Sequence, residues 1–163
     1  MMRNPMLSRT VSIAPVLLVV LALLSGCVTS PSRDGFEPGG EPSGGAVIAP
    51  RRGTSAAVLD LLERARAASR RGELHKAEAL LERAIRIEPR NPVLWHYMAK
   101  VHLHRGRAQR AAGLAARSNS LAGADRALRA DNWRIIAHAR QAMGDAAGAR
   151  EAQARASALG GER

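Results

Sequence analysis

From Thr54 onward the apolar residues recur three and four positions apart: Val58, Leu61, Leu62 and Ala65, then Ala77, Leu80, Leu81, Ala84 and Ile85. That is the period of helices with one face turned inward. Breakers fall between the stripes: Gly72 separates the first two helices, Pro89 ends the second, and Asn91-Pro92 reads as an N-cap followed by proline at the first helical position. Upstream the pattern changes twice. Residues 27–54 hold four prolines and six glycines without apolar periodicity, the composition of a disordered tether whose extended reach is about 90 Å and whose random-coil span is about 30 Å. Its short apolar run, Ala46-Val47-Ile48-Ala49, reads as linker rather than as a docking peptide. Before the tether, Val11 to Leu24 carries no charge and follows Arg3 and Arg9. As a helix it is about 21 Å long against a bilayer core of about 30 Å, so it reads as the apolar stretch of a signal peptide over residues 1–26.

The helical region, residues 55–163, is self-similar. Gly72 and Ala77 are followed at the same spacing by Gly106 and Ala111, then by Gly144 and Ala149. Ala65, Ala99 and Ala137 precede the three glycines, and Ala84, Ser118 and Ala156 follow, giving a period of 34 residues and then 38. Small residues at these places let helices approach closely. Trp95 and Trp133 occupy one equivalent position, where a large ring is expected to fill the space between helices, and Leu61 stands there in the first unit. The pattern resembles the tetratricopeptide repeat, with units at about 58–91, 92–124 and 130–160. The resemblance implies an all-α solenoid of three antiparallel helix pairs, with Pro89 at the family's terminal proline. In the third unit Gln153 stands where helix B expects a bulky residue, and four extra residues suggest a helix that starts a turn early, near Asp125. No polar capping helix follows Gly160, which leaves an apolar edge on the last helix.

The chain's one cysteine, Cys27, directly follows Leu24-Ser25-Gly26. The segment resembles a bacterial lipobox, which implies cleavage before Cys27 and a covalent lipid on its sulfur, with no other cofactor. Several acyl chains anchor firmly where one does not. Val28 is not the Asp that in lipoproteins favours retention at the inner membrane, so the expected location is the outer membrane, facing the periplasm.

Net charge is +11, and loss of Arg3 and Arg9 with the signal leaves +9. The excess is uneven: residues 92–129 carry seven Lys or Arg against one acid. An exported basic chain with only Phe36, Trp95, Tyr97 and Trp133 as aromatics lacks the stacking platforms of a nucleic-acid binder. Anionic protein surfaces and cell-wall polymer are the partners such charge can steer. No P-loop, nucleophile elbow or HExxH sequence is present. His102 and His104 point to different sides of a helix, and His96 has no ligand-type residue three or four positions on, so neither metal binding nor catalysis is expected.

Repeats of this kind bind peptides on the inner face of their first helices. Transferred by position, that face holds Leu59, Leu62, Arg66 and Arg70, then Val93, His96, Lys100 and His104, then Asp131, Arg134 and His138. With Arg105 beside them, the cations Arg66, Arg70, Lys100 and Arg134 and the histidines His96, His104 and His138 are the partner-binding candidates. The subgroup that clamps chain-terminal carboxylates is not reproduced, because Arg66, Lys100 and His138 replace its asparagines. Signal, lipobox, tether and basic repeats together, with the segments Ile87-Glu88-Pro89-Arg90-Asn91-Pro92 and Asn132-Trp133-Arg134, resemble the LpoP-type lipoproteins. That resemblance implies activation of a class A penicillin-binding protein in peptidoglycan synthesis. An assembly scaffold or pilot for outer-membrane or secretion machinery, and a direct binder of anionic cell-wall polymer such as peptidoglycan, are the alternatives.

Overall fold

The computed structural model describes residues 48–160, and among them lie six helices and no strand. The helices are α1 (Ala56–Arg70), α2 (Leu74–Ile87), α3 (Pro92–His104), α4 (Ala108–Leu121), α5 (Arg126–Ala142) and α6 (Ala146–Gly160). Each helix packs on its successor, α1 touches α3 and α3 touches α5, whereas α2, α4 and α6 do not touch one another. The odd-numbered helices therefore form an inner layer and the even-numbered ones an outer layer, as in a curved stack of helix pairs. Cys27 and its neighbours Leu24, Ser25 and Gly26, the expected signal peptide over residues 1–26, and residues 27–47 of the expected tether lie outside the described residues.

All three within-pair turns close the same way, and the reason is a glycine in each. Gly72, Gly106 and Gly144 have φ of 74°, 70° and 81°. Around Gly106 the Arg107 N–H donates to His102 O at 2.9 Å and the Gly106 N–H to Leu103 O at 3.0 Å, satisfying carbonyls that a helix end otherwise leaves open. The same two bonds recur at Gly72 and Gly144. A Cβ at Gly106 meets nothing within 4 Å, so the cost of Gly106→Ala is the left-handed backbone alone, about 1 kcal/mol. Thermal melting is expected to drop by roughly 4–8 °C; a variant that melts with the wild type shows that this backbone is not strained by a side chain.

Helix starts are equally local. Asn91 Oδ1 accepts from the Val93 N–H at 3.1 Å and caps α3 ahead of Pro92. Asp125 accepts from the Leu128 N–H at 2.9 Å, so α5 does begin one turn early. The run Ile87–Pro92 is a junction. Glu88 accepts from the Ser55 N–H at 2.8 Å and from Asn91 Nδ2 at 2.8 Å, Asn91 Nδ2 also reaches Thr54 Oγ1 at 3.1 Å, and Pro89 O accepts from Trp95 Nε1 at 2.8 Å. Burial pushes the Glu88 carboxyl up, but the donors from Ser55 and Asn91 outweigh it and hold it below its ordinary value.

Two apolar clusters fill the stack. The first joins Val58, Leu61, Leu62 and Leu81 to Leu94, Tyr97 and Leu128; the second is mostly alanine, with Ile135 and Ile136 as its large members. Ala65, Ala77, Ala84, Ala99, Ala111, Ser118, Ala137, Ala149 and Ala156 are all buried, as close helix contact requires. The tryptophans differ from expectation. Trp95 and Trp133 are half-buried rather than enclosed, and each ring lies under an arginine of the next helix, Arg117 at 5.9 Å and Arg155 at 4.7 Å. Because the second helix of each pair carries alanine at the facing positions, the ring stays at the rim, where a guanidinium covers it. The aliphatic Leu61 at the same position in the first unit is buried.

The tether's end also departs from its sequence reading. Ile48 is 5% exposed and belongs to the first cluster, and its carbonyl accepts from the Tyr97 hydroxyl at 3.4 Å. Residues 48–54 are thus a strap pinned at Ile48 and Thr54 with residues 49–53 exposed between them, and the first core residue stands before residue 55. A segment without regular structure shows no periodicity, so one anchoring isoleucine in a Pro/Gly-rich stretch reads as linker.

Candidate functional site

The inner layer places Arg66 on α1, Lys100 on α3 and Arg134 and His138 on α5 along one side of the stack. Between the first two stands Tyr97, almost fully buried, with the Arg66 guanidinium 5.3 Å and the Lys100 ammonium 5.8 Å from its ring centre. Two cations on one aromatic ring are held partly by its negative π-cloud. Arg66 and Lys100 are half-buried and Arg70 and His138 are exposed, whereas His104 ends α3 half-buried.

Three candidates have other work. His96 is 2% exposed, because its position faces the following repeat, as does the equivalent Leu62. Its Nδ1 lies 2.9 Å from Asn132 Oδ1; Asn132 Nδ2 donates to Ser118 Oγ at 2.8 Å and to Asn119 Oδ1 at 3.0 Å, and Ser118 Oγ donates to Pro92 O at 2.9 Å. With the Asn132 amide donating, its oxygen must accept, which puts the His96 proton on Nδ1. Burial lowers His96 from 6.5 to about 4, Lys100 adds to the drop, and the Asn132 bond opposes it. His96 is therefore a neutral latch between repeats, not a partner contact.

Arg105 is the second. It is bonded to Glu78 of α2, which also receives Arg107 Nη1 and His102 Nε2, each at 3.3 Å. The acid that balances these cations comes from the preceding repeat. The third, Arg134, is paired with Asp131 one turn earlier, and Asp131 is itself buried. Burial raises the Asp131 carboxyl above its ordinary value, against the pull of Arg134 and Lys100. Sequence reasoning missed Tyr97, Glu78, Asn132 and Ile48; of these only Tyr97, an aromatic with Lys100 one turn on in its own helix and Arg66 in the first helix of the preceding pair, left a readable signal.

No group of three or more metal-ligating side chains forms among the described residues, and no described helix is long and apolar enough to cross a membrane. An open cleft of about 830 Å³ lies beside the strap, between Ile48, Pro50, Val93, Leu121, Asp125 and Ala127.

The stacked pairs, their glycine closures and the cationic inner face define a tetratricopeptide-repeat protein-interaction domain, and a tetratricopeptide-repeat family model matches residues 58–101. No curated protein sequence matches the chain. The globular C-terminal domain of P. aeruginosa LpoP is 41% identical, with a TM-score of 0.61, over 63% of this chain and 96% of that domain. The chain belongs to the LpoP-like family of tetratricopeptide-repeat proteins. The Sgt2 repeat domain from Aspergillus fumigatus is 26% identical, with a TM-score of 0.61, over 70% of this chain and 74% of its own. The N-terminal domain of stress-induced protein-1 from C. elegans, 18% identical over 67% of this chain and 88% of its own, shares the fold with a TM-score of 0.59.

Proposed function

We propose that the chain is an outer-membrane lipoprotein, anchored through Cys27 and facing the periplasm, whose repeat domain binds and activates a class A penicillin-binding protein. The observation that supports this most is the 41% identity spanning 96% of the LpoP domain. The protein-interaction fold supports a non-enzymatic role. Activation is then allosteric: the bound repeat domain stabilises the active arrangement of the synthase by its differential affinity for that state.

Charge pairing narrows the contact surface. Arg105 and Arg107 spend their charge on Glu78 within the chain, which weakens the reading of the middle repeat as a binder of anionic polymer, and Arg134 of the third repeat is paired with Asp131. Arg66, half-buried over the Tyr97 ring with Lys100 near the same ring, is the cation best placed to meet an acidic protein surface. Arg66→Glu with Lys100→Glu is expected to weaken synthase binding at least about tenfold, mainly through the association rate and in parallel with added salt. Surface plasmon resonance across a salt series, with glycan-strand synthesis measured alongside, checks this. Wild-type affinity and stimulation in the double variant sink the proposed contact.

A further inference from the structure

Residues Ile48–Pro50 lie on the inner layer in an irregular, unhelical conformation, with one aliphatic side chain buried and one carbonyl bonded to a hydroxyl of the face beneath. This is how a peptide ligand sits on a helical face, with a buried anchor residue for affinity and a main-chain bond for register. We infer that this seat is an exchangeable peptide site: the chain's own strap fills it in the free protein, and an extended partner segment with a branched aliphatic anchor, accompanied by an acidic residue, replaces the strap on binding. The inference deepens the reading of the repeat domain as a protein-binding module and rests on it.

Three features of the seat set the partner's chemistry. The first apolar cluster, with Val93 and Tyr97 among its members, takes the aliphatic side chain. The Tyr97 hydroxyl takes a backbone carbonyl of any sequence. Arg66, over the Tyr97 ring, supplies positive charge beside the anchor, and the strap, whose nearest charged residues are Arg51 and Arg52, does not complement it. An acidic partner segment therefore gains an interaction that the strap lacks. The strap, in turn, competes only because it is attached, at an effective concentration on the order of millimolar. Its displacement also frees residues 48–54, which adds about 20 Å to the reach of the segment upstream. Partner binding and tether length are thus coupled through one site.

The test uses the full-length chain in lipid nanodiscs and a fluorescent hexapeptide, Ala-Val-Ile-Ala-Pro-Arg, copied from residues 46–51. Ile48→Asp ejects the strap, so fluorescence anisotropy is expected to show peptide binding about tenfold tighter than to the wild type, and none for a peptide with Asp in place of its Ile. Adding Tyr97→Phe, which removes only the hydroxyl, is expected to weaken the peptide several-fold at an unchanged melting temperature. Should Ile48→Asp fail to fold, hydrogen exchange of the wild type decides: excess peptide is expected to speed exchange at Thr54, whose N–H donates to Arg51 O at 3.1 Å within the strap. Peptide affinity that ignores Ile48→Asp, or strap amides that ignore excess peptide, overturns the inference. Synthase binding is read separately, so loss of peptide exchange with synthase binding intact removes only this site, and peptide exchange without synthase binding removes only the proposed partner.

Discussion

Asn132→Leu is expected to destabilise the repeat domain by about 3 kcal/mol, a fall in melting temperature of roughly 15 °C. The substitution keeps the volume but strands the buried His96 Nδ1–H, which loses its acceptor at 2.9 Å, and takes from Ser118 Oγ the donor at 2.8 Å, leaving that hydroxyl only its own bond to Pro92 O. An unsatisfied buried polar group costs more than a hydrogen bond contributes, so the loss exceeds that of a surface bond. The effect is large here because the network spans α3, α4 and α5, where the apolar contact is mostly alanine and each side chain buries little area. Replacing the whole network with apolar groups, His96→Leu, Asn132→Leu and Ser118→Ala together, is expected to recover part of the loss, since no donor is then stranded. Circular dichroism melts check both; a single variant within about 1 kcal/mol of wild type shows that the network carries little stability.

The same histidine gives the domain a pH dependence with a definite sign. His96 falls from 6.5 to about 4 in the folded state, so between these values the unfolded chain takes up a proton that the folded one refuses. Stability is full above pH 6.5, declines as pH falls toward 4, and loses about 3 kcal/mol in all. His102, also lowered by burial and by Arg107 and Arg110, acts with the same sign, while Lys100 and Asp125 are the charges that act on His96 itself. The difference between wild type and His96→Leu across this window isolates the His96 contribution; parallel profiles for the two proteins overturn it.

What the sequence revealed and what it hid follow from the range of the forces involved. Gly72, Gly106 and Gly144 could be placed because a positive φ is demanded by the turn itself, and Asn91-Pro92 and Asp125 because a cap is a contact within three residues. The inner face was harder. His96 shares its position with Leu62, and whether that position meets solvent or the next repeat depends on packing 36 residues away, against Asn132. Counting charge repeat by repeat made Arg105 and Arg107 look uncompensated, yet their acid, Glu78, lies 27 and 29 residues earlier. Ile48 was hidden for a further reason: a lone anchor 49 residues from its partner Tyr97 leaves no pattern at all.

Cys27→Ala is expected to produce the largest change in the cell, because it removes the anchor rather than weakening a contact. The thiol is the attachment atom of the proposed lipid and alanine offers no substitute. The variant is therefore expected to incorporate no labelled palmitate, to keep Met1–Gly26 uncleaved, and to be missing from the outer-membrane fraction. Each acyl methylene contributes about 0.8 kcal/mol to membrane affinity, so several chains hold the protein essentially permanently and their loss is not offset by the basic surface, whose attraction is screened within about 10 Å. Purified variant and wild type are expected to melt together and to bind synthase equally in detergent. Stimulation of glycan synthesis in cells is then lost while stimulation in solution is kept. Palmitate labelling or normal outer-membrane fractionation of Cys27→Ala rules out the anchor, and loss of in-solution binding by the same variant shows that the region before the strap takes part in partner recognition.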